Sequence, residues 1–169
     1  MKDSNGIIGF ASKVHIPPPI LLMSLSELGV SFSKYRRKRK DASGCAAMKA
    51  IGSFLSLTGF TVSATAAVYM IKEGQSPNPK NQKSKVVTSG PFVASRNPIY
   101  LGSLLAALGR SFANRSIAGM VATAAGWIYV DRVIVPGEER YLTEQFVNSY
   151  IEYRDKTARW IGSPISSKV

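Results

Sequence analysis

The sequence has a single cysteine, Cys45, and a single histidine, His15, in 169 residues. One cysteine excludes an intramolecular disulfide and a thiolate metal site. One histidine, lying in a polar N-terminal stretch, excludes a histidine-relay nucleophile and a histidine-built zinc centre, so no metal is expected. Acids are scarce as well: 10 Asp and Glu stand against 22 Lys and Arg, a net charge of +12. The longest stretches without charge are residues 50–71 and residues 116–130. The first is long enough to cross a bilayer, which takes about 20 residues. The second is shorter and needs neighbouring helices. No signal peptide is expected, because Lys2 and Asp3 lead into a short apolar patch without a cleavage site. A C-terminal prenylation motif is also lacking.

The excess positive charge does not form one stripe interleaved with aromatics, the pattern that suits nucleic acid. It gathers at the edges of apolar runs: residues 34–40 (Lys-Tyr-Arg-Arg-Lys-Arg-Lys), residues 72–85, and Arg154, Lys156 and Arg159. Such clusters anchor a protein in an anionic membrane face. Membrane contact is therefore expected and nucleic acid is not.

Hydropathy and punctuation predict an all-α integral membrane bundle of about four transmembrane helices with a C-terminal amphipathic helix. Residues 1–15 read as a flexible arm, and Pro17-Pro18-Pro19 opens an apolar segment over residues 20–32. Glu27 inside it faces other helices, ties the helix to a cationic partner, or marks a helix lying on the membrane surface. Residues 50–71 form the clearest span, with Gly52, Ser56, Gly59 and Ser63 as small residues that let helices approach closely. Asn97-Pro98 reads as N-cap and first turn of a third helix over residues 98–108. A fourth is expected over residues 117–135, stopped by Pro136-Gly137. Residues 138–159 read as amphipathic, with Tyr141, Leu142, Phe146, Tyr150 and Tyr153 on one face. Four spans put both termini on one side. With the 72–96 loop that side holds 13 Lys and Arg against 9 opposite, which favours cytosolic termini.

Two blocks carry chemistry. The first runs Val87-Thr88-Ser89-Gly90-Pro91-Phe92-Val93-Ala94-Ser95-Arg96-Asn97-Pro98-Ile99-Tyr100-Leu101-Gly102. The second is Pro136-Gly137-Glu138-Glu139-Arg140-Tyr141-Leu142, followed by Phe146, Tyr150, Tyr153 and Arg159-Trp160. Gly90-Pro91 supplies a tight turn that lets backbone approach a ligand. Phe92 and Tyr100 offer aromatic surface, Glu138 and Glu139 negative charge, and Arg96 a partner for a carboxylate or phosphate.

Together, over residues 86–160, these blocks resemble the isoprenylcysteine carboxyl methyltransferase and phospholipid methyltransferase superfamily. The resemblance is to small bacterial-type members with Arg-Asn-Pro in place of Arg-His-Pro. It implies a membrane methyltransferase domain over residues 16–160, with a tail over 161–169. The implied cofactor is S-adenosylmethionine, held by Val86, Val87, Gly90, Phe92, Asn97, Pro98, Tyr100 and Glu138 between the third and fourth helices and the C-terminal helix. Arg96, Glu139 and Arg132 are the implied catalytic candidates. The implied partner is a lipophilic, lipid or prenylated acceptor. Localisation would be multi-pass, in the endoplasmic reticulum or a bacterial inner membrane, with the active site facing the cytosol. Three departures stand out. Asn97 replaces the usual histidine, and Val147 replaces a tail glycine. Ile134 occupies the place where prenylcysteine enzymes carry a substrate-binding arginine, with Arg132 the nearest one upstream. The acceptor therefore stays open between carboxylate, phospholipid amine and thiol. A non-catalytic scaffold descended from such an enzyme is the alternative of another class.

Overall fold

A computed structural model describes residues 17–36, 46–76 and 84–162. The expected arm, most of the basic 34–40 run and most of the tail lie outside these residues. Every regular element among them is helical. Five α-helices follow in order: α1 (Pro18–Arg36), α2 (Ala46–Lys72), α3 (Pro98–Ala113), α4 (Ile117–Tyr129) and α5 (Val135–Lys156). A 3-10 turn, Gly90–Val93, precedes α3, and a π-helical turn, Val130–Ile134, joins α4 to α5.

Helix α3 packs along α2, while α1 lies against both α3 and α4. The closeness follows from residue size. A Cβ added to Gly102 would meet the Gly59 carbonyl and Ser63 Oγ at 2.5 Å, and one on Gly109 would meet the Gly52 carbonyl at 2.6 Å. Hydroxyls complete the joins. Ser63 Oγ donates to the Ile99 carbonyl at 2.8 Å, Ser26 Oγ to the Ala107 carbonyl at 3.0 Å, and Ser116 Oγ to the Gly29 carbonyl at 3.0 Å. In lipid, where apolar side chains gain nothing by leaving their surroundings, close packing and hydrogen bonds must hold helices together. Glu27 takes the second of its expected roles: it pairs with Arg110 of α3.

Apolar side chains point outward. Phe54, Leu57 and Phe60 of α2 are each about two-thirds exposed, and Ile117, Val121 and Ile128 of α4 are similarly bare. A water-soluble bundle would bury this surface. Two segments, Ala46–Lys72 and Ile117–Lys156, are long and apolar enough to cross a membrane. Helices α1 and α3 have 19 and 16 residues.

Several boundaries differ from expectation: α1, α2 and α3 run past the expected 20–32, 50–71 and 98–108, α3 as far as Ala113. Pro136-Gly137 does not stop the fourth helix; the chain passes through the π turn directly into α5. Pro136 has no N–H for the carbonyl four residues back. The wider turn ahead of it, closed by the Val135 N–H on the Val130 carbonyl, is where the helix absorbs that loss. The real bend comes later, at Phe146, whose φ of −121° and ψ of 22° are not helical. Helix α5 then ends at Lys156, three residues short of the expected 159, because Thr157 is extended.

Candidate functional site

The site lies at the end of the bundle where α2 finishes, α3 begins and α5 starts. Gly90 is needed there for two reasons. Its φ is +61°, and a Cβ would meet the Tyr69 ring at 2.5 Å. The turn it makes buries Phe92 in a cluster with Ala66 and Met70 of α2, Val87, and Tyr150 and Tyr153 of α5. Tyr153 locks the turn by donating its hydroxyl to the Phe92 carbonyl at 2.7 Å.

A cleft of about 60 Å³ opens against this cluster. Of the residues expected at a site, Val86, Val87, Phe92, Arg96, Asn97, Glu138 and Glu139 line it. Neither α3 nor α4 contributes a wall, so the cleft is not between the third and fourth helices as expected. It lies between the end of α2, the segment 84–97 and α5. Tyr100 fills the space on the α3 side: it is buried, and its hydroxyl donates to Glu138 Oε1 at 2.8 Å. Gly90, Pro98 and Tyr100 thus shape or brace the cleft without lining it. Arg132 stands apart. Its side chain is 80% exposed on the π turn and pairs with its neighbour Asp131 at 3.2 Å.

The electrostatics centre on Glu139. Arg96 Nη2 reaches Glu139 Oε1 at 3.0 Å, and Arg159 takes the same carboxylate with Nη2 on Oε2 at 2.5 Å and Nε on Oε1 at 3.1 Å. The Arg96 side chain is only 10% exposed, and its Nε and Nη1 are buried with no hydrogen-bond partner among the described residues. A charged donor buried and unsatisfied is costly unless something completes it. Asn97 sits at the N-cap position, but its side chain makes no cap bond. Its amide donates instead to the Arg159 carbonyl at 3.3 Å, while its backbone N–H donates to Ser95 Oγ at 3.1 Å.

Three lining residues were not singled out for the site by the sequence: Met70, Gln75 and Lys85. Gln75 is buried in the loop after α2 and clasps Ser84 with both ends of its amide, at 2.6 and 3.1 Å. Beside it, Glu73 accepts from Lys85 Nζ at 2.5 Å and from Ser89 Oγ at 3.2 Å. The hydrogen bond from Lys85 and its charge hold the Glu73 carboxyl below the usual carboxylate range. Nothing in a polar, proline-bearing loop marks one glutamine over its neighbours. Leu142, Tyr150 and Tyr153 did carry a signal, the apolar periodicity of α5.

The fold and the site define a helical protein with membrane-capable segments and a polar cleft, walled by aromatics, at one end of its bundle. A family model for phospholipid methyltransferases matches residues 46–149. That is more than half of the chain, and the chain belongs to this family. The matched region runs from α2 into α5 and contains every expected site residue; Tyr150, Tyr153 and Arg159 fall beyond it. Comparison with curated proteins and with solved structures gives no match.

Proposed function

We propose that the chain transfers a methyl group from S-adenosylmethionine to a lipophilic acceptor at a membrane, as a multi-pass protein in which α1 to α4 span and α5 covers the cytosolic end. The observation that carries this reading is the pairing of opposites in one cleft. A buried Arg96 with two unsatisfied nitrogens lies with Glu138, which Tyr100 holds, against an aromatic wall.

S-adenosylmethionine presents an ammonium, a carboxylate, an adenine and a sulfonium-borne methyl carbon, which becomes transferable to a nucleophile with release of a neutral thioether. The residues fit such a ligand. Glu138 suits the ammonium, and the unsatisfied nitrogens of Arg96 suit an oxyanion. Phe92, Val86 and Val87 suit the nucleoside. Tyr100 fixes the Glu138 carboxylate before any ligand arrives, so less ordering is needed on binding. The volume is a further constraint: about 60 Å³ is far below the roughly 300 Å³ or more of a typical small-molecule site. The donor therefore binds with outward movement of the segment that Glu73, Gln75 and Lys85 clasp.

The acceptor arrives through the bilayer and the charged donor from water, which explains why the site sits at the end of a bundle with bare apolar flanks. A phospholipid amine is the acceptor that the family's description favours. A carboxylate acceptor is the second reading, with Arg96 as its cationic partner because Ile134 supplies none. Purified protein in mixed micelles with a tritiated-methyl donor separates them. Label moved to phosphatidylethanolamine and stable to alkali means N-methylation; alkali-labile label on a prenylcysteine acceptor means a methyl ester. Transfer to neither, by folded protein, counts against the proposal.

A further inference from the structure

Beyond the family-matched region, residues 157–160 fold back over the site as a strap. The Arg96 N–H donates to the Ala158 carbonyl at 2.9 Å. On either side of Arg96, Ser95 Oγ and the Asn97 amide both donate to the Arg159 carbonyl, at 3.1 and 3.3 Å. Trp160 is pinned in turn: its Nε1 donates to Asp131 Oδ1 at 2.9 Å, and its ring lies 4.2 Å from that of Trp127. The strap fixes the Arg159 backbone relative to Arg96, and the Arg159 side chain then engages both oxygens of Glu139.

This arrangement decides how much of Arg96 remains available. A carboxylate free to turn would meet a lone guanidinium with both oxygens. Glu139 is instead oriented by Arg159, which holds both of its oxygens, and in that orientation Arg96 meets it through Nη2 alone. Arg159 also reaches Asp131 at 3.6 Å, so the two guanidinium groups meet two carboxylates, of which Glu139 alone pairs with Arg96 and does so through one nitrogen. The Nε and Nη1 of Arg96 stay buried and unpartnered among the described residues. We propose that Arg159 is a positioning residue: by locking Glu139 it keeps Nε and Nη1 of Arg96 available to an oxyanion, a carboxylate or a phosphate, within the cleft. The inference rests on the methyltransferase reading. The oxyanion is either the donor's carboxylate or an acidic group on the acceptor.

The test is calorimetric titration of the full-length protein with S-adenosylmethionine and with its decarboxylated form, which differ only in the carboxylate. Wild type, Arg159→Gln and Arg159→Lys are compared. If the donor supplies the oxyanion, wild type prefers the carboxylate-bearing donor, and Arg159→Gln loses about tenfold in that preference, as expected for one bond to a charged group. Arg159→Lys recovers part of it. If the acceptor supplies the oxyanion, both donors bind alike throughout, and KM for phosphatidylethanolamine in mixed micelles rises in Arg159→Gln while kcat holds. In either case Arg159→Gln adds nothing in a Glu139→Gln background, because the effect runs through Glu139. An Arg159→Gln protein that changes neither donor preference nor acceptor KM overturns the proposal. So does one that weakens both donors equally as its thermal stability falls. A wild type that binds neither donor overturns the methyltransferase reading, and the inference with it.

Discussion

Replacing Glu139 by Gln removes the one counter-charge of a buried guanidinium. Arg96 is 10% exposed and already has two unpartnered nitrogens; without the carboxylate its third contact becomes a bond to a neutral amide at best. Removing one partner of a buried ion pair costs about 3–5 kcal/mol. Two features reduce this. The amide oxygen of Gln still accepts one bond, and Arg159, at 35% exposure, can turn to water. We therefore expect a loss of about 2 kcal/mol. For a chain of this length that lowers the unfolding midpoint by about 4–8 °C. Thermal unfolding in detergent, followed by tryptophan fluorescence, reads it directly, since Trp160 of the 157–160 segment lies against Trp127 with its ring tilted. Saturating phosphate should recover part of the loss, by pairing with Arg96. A midpoint within about 1 °C of wild type would refute the view that Glu139 balances a desolvated charge.

Other outcomes follow from the same geometry. Tyr153→Phe leaves the buried Phe92 carbonyl without its 2.7 Å donor and should cost about 1–3 kcal/mol, read as a lower unfolding midpoint. Gly90→Ala forces a Cβ against the Tyr69 ring at a left-handed φ, so donor affinity should fall more than in Thr88→Ala, a change at an exposed neighbour. The Glu73 pairing should be sensitive to acid. Its folded-state pKa is lowered, so the pairing contributes above the ordinary carboxylate range and is lost as pH falls through the lowered value. Amide exchange across residues 84–89 should be slower in wild type than in Glu73→Gln at neutral pH, and the difference should vanish once the pH is brought below the lowered Glu73 value. Midway along α2, Gly59→Leu should separate α2 from α3 and lower the unfolding midpoint, because even a Cβ there meets Ala106 backbone.

Helices were legible wherever a physical rule acted locally. Uncharged stretches announced α2 and α4, Asn97-Pro98 fixed the start of α3, and Leu142, Phe146, Tyr150 and Tyr153 marked the packed face of α5, whereas Tyr141 of the same periodic set is exposed. The errors came where tertiary contacts override local rules. Pro136-Gly137 breaks an isolated helix, but here the π turn absorbs the missing N–H. Asn97 is a good cap by type, yet the strap gives its amide a carbonyl to serve instead. The same limits apply to the site. Motif spacing named Val86, Val87, Phe92, Arg96, Asn97 and the glutamates, and the fold brings these to one cleft. Gln75 and Arg159 reach the site only through folding-back of a loop and of the C-terminal strap, which no periodicity encodes. Arg132 is near in sequence, but its side chain is exposed and pairs with Asp131 on the π turn.

The most direct test of the account is titration of the detergent-purified protein with S-adenosylhomocysteine, wild type beside Glu138→Gln. The substitution keeps an acceptor for the Tyr100 hydroxyl, so the bundle should remain folded while the charge for the ligand's ammonium is lost. The account predicts saturable binding by wild type and affinity about tenfold or more weaker in Glu138→Gln. Equal binding by both proteins would contradict the assignment of Glu138, and no binding by folded wild type would contradict the methyltransferase itself.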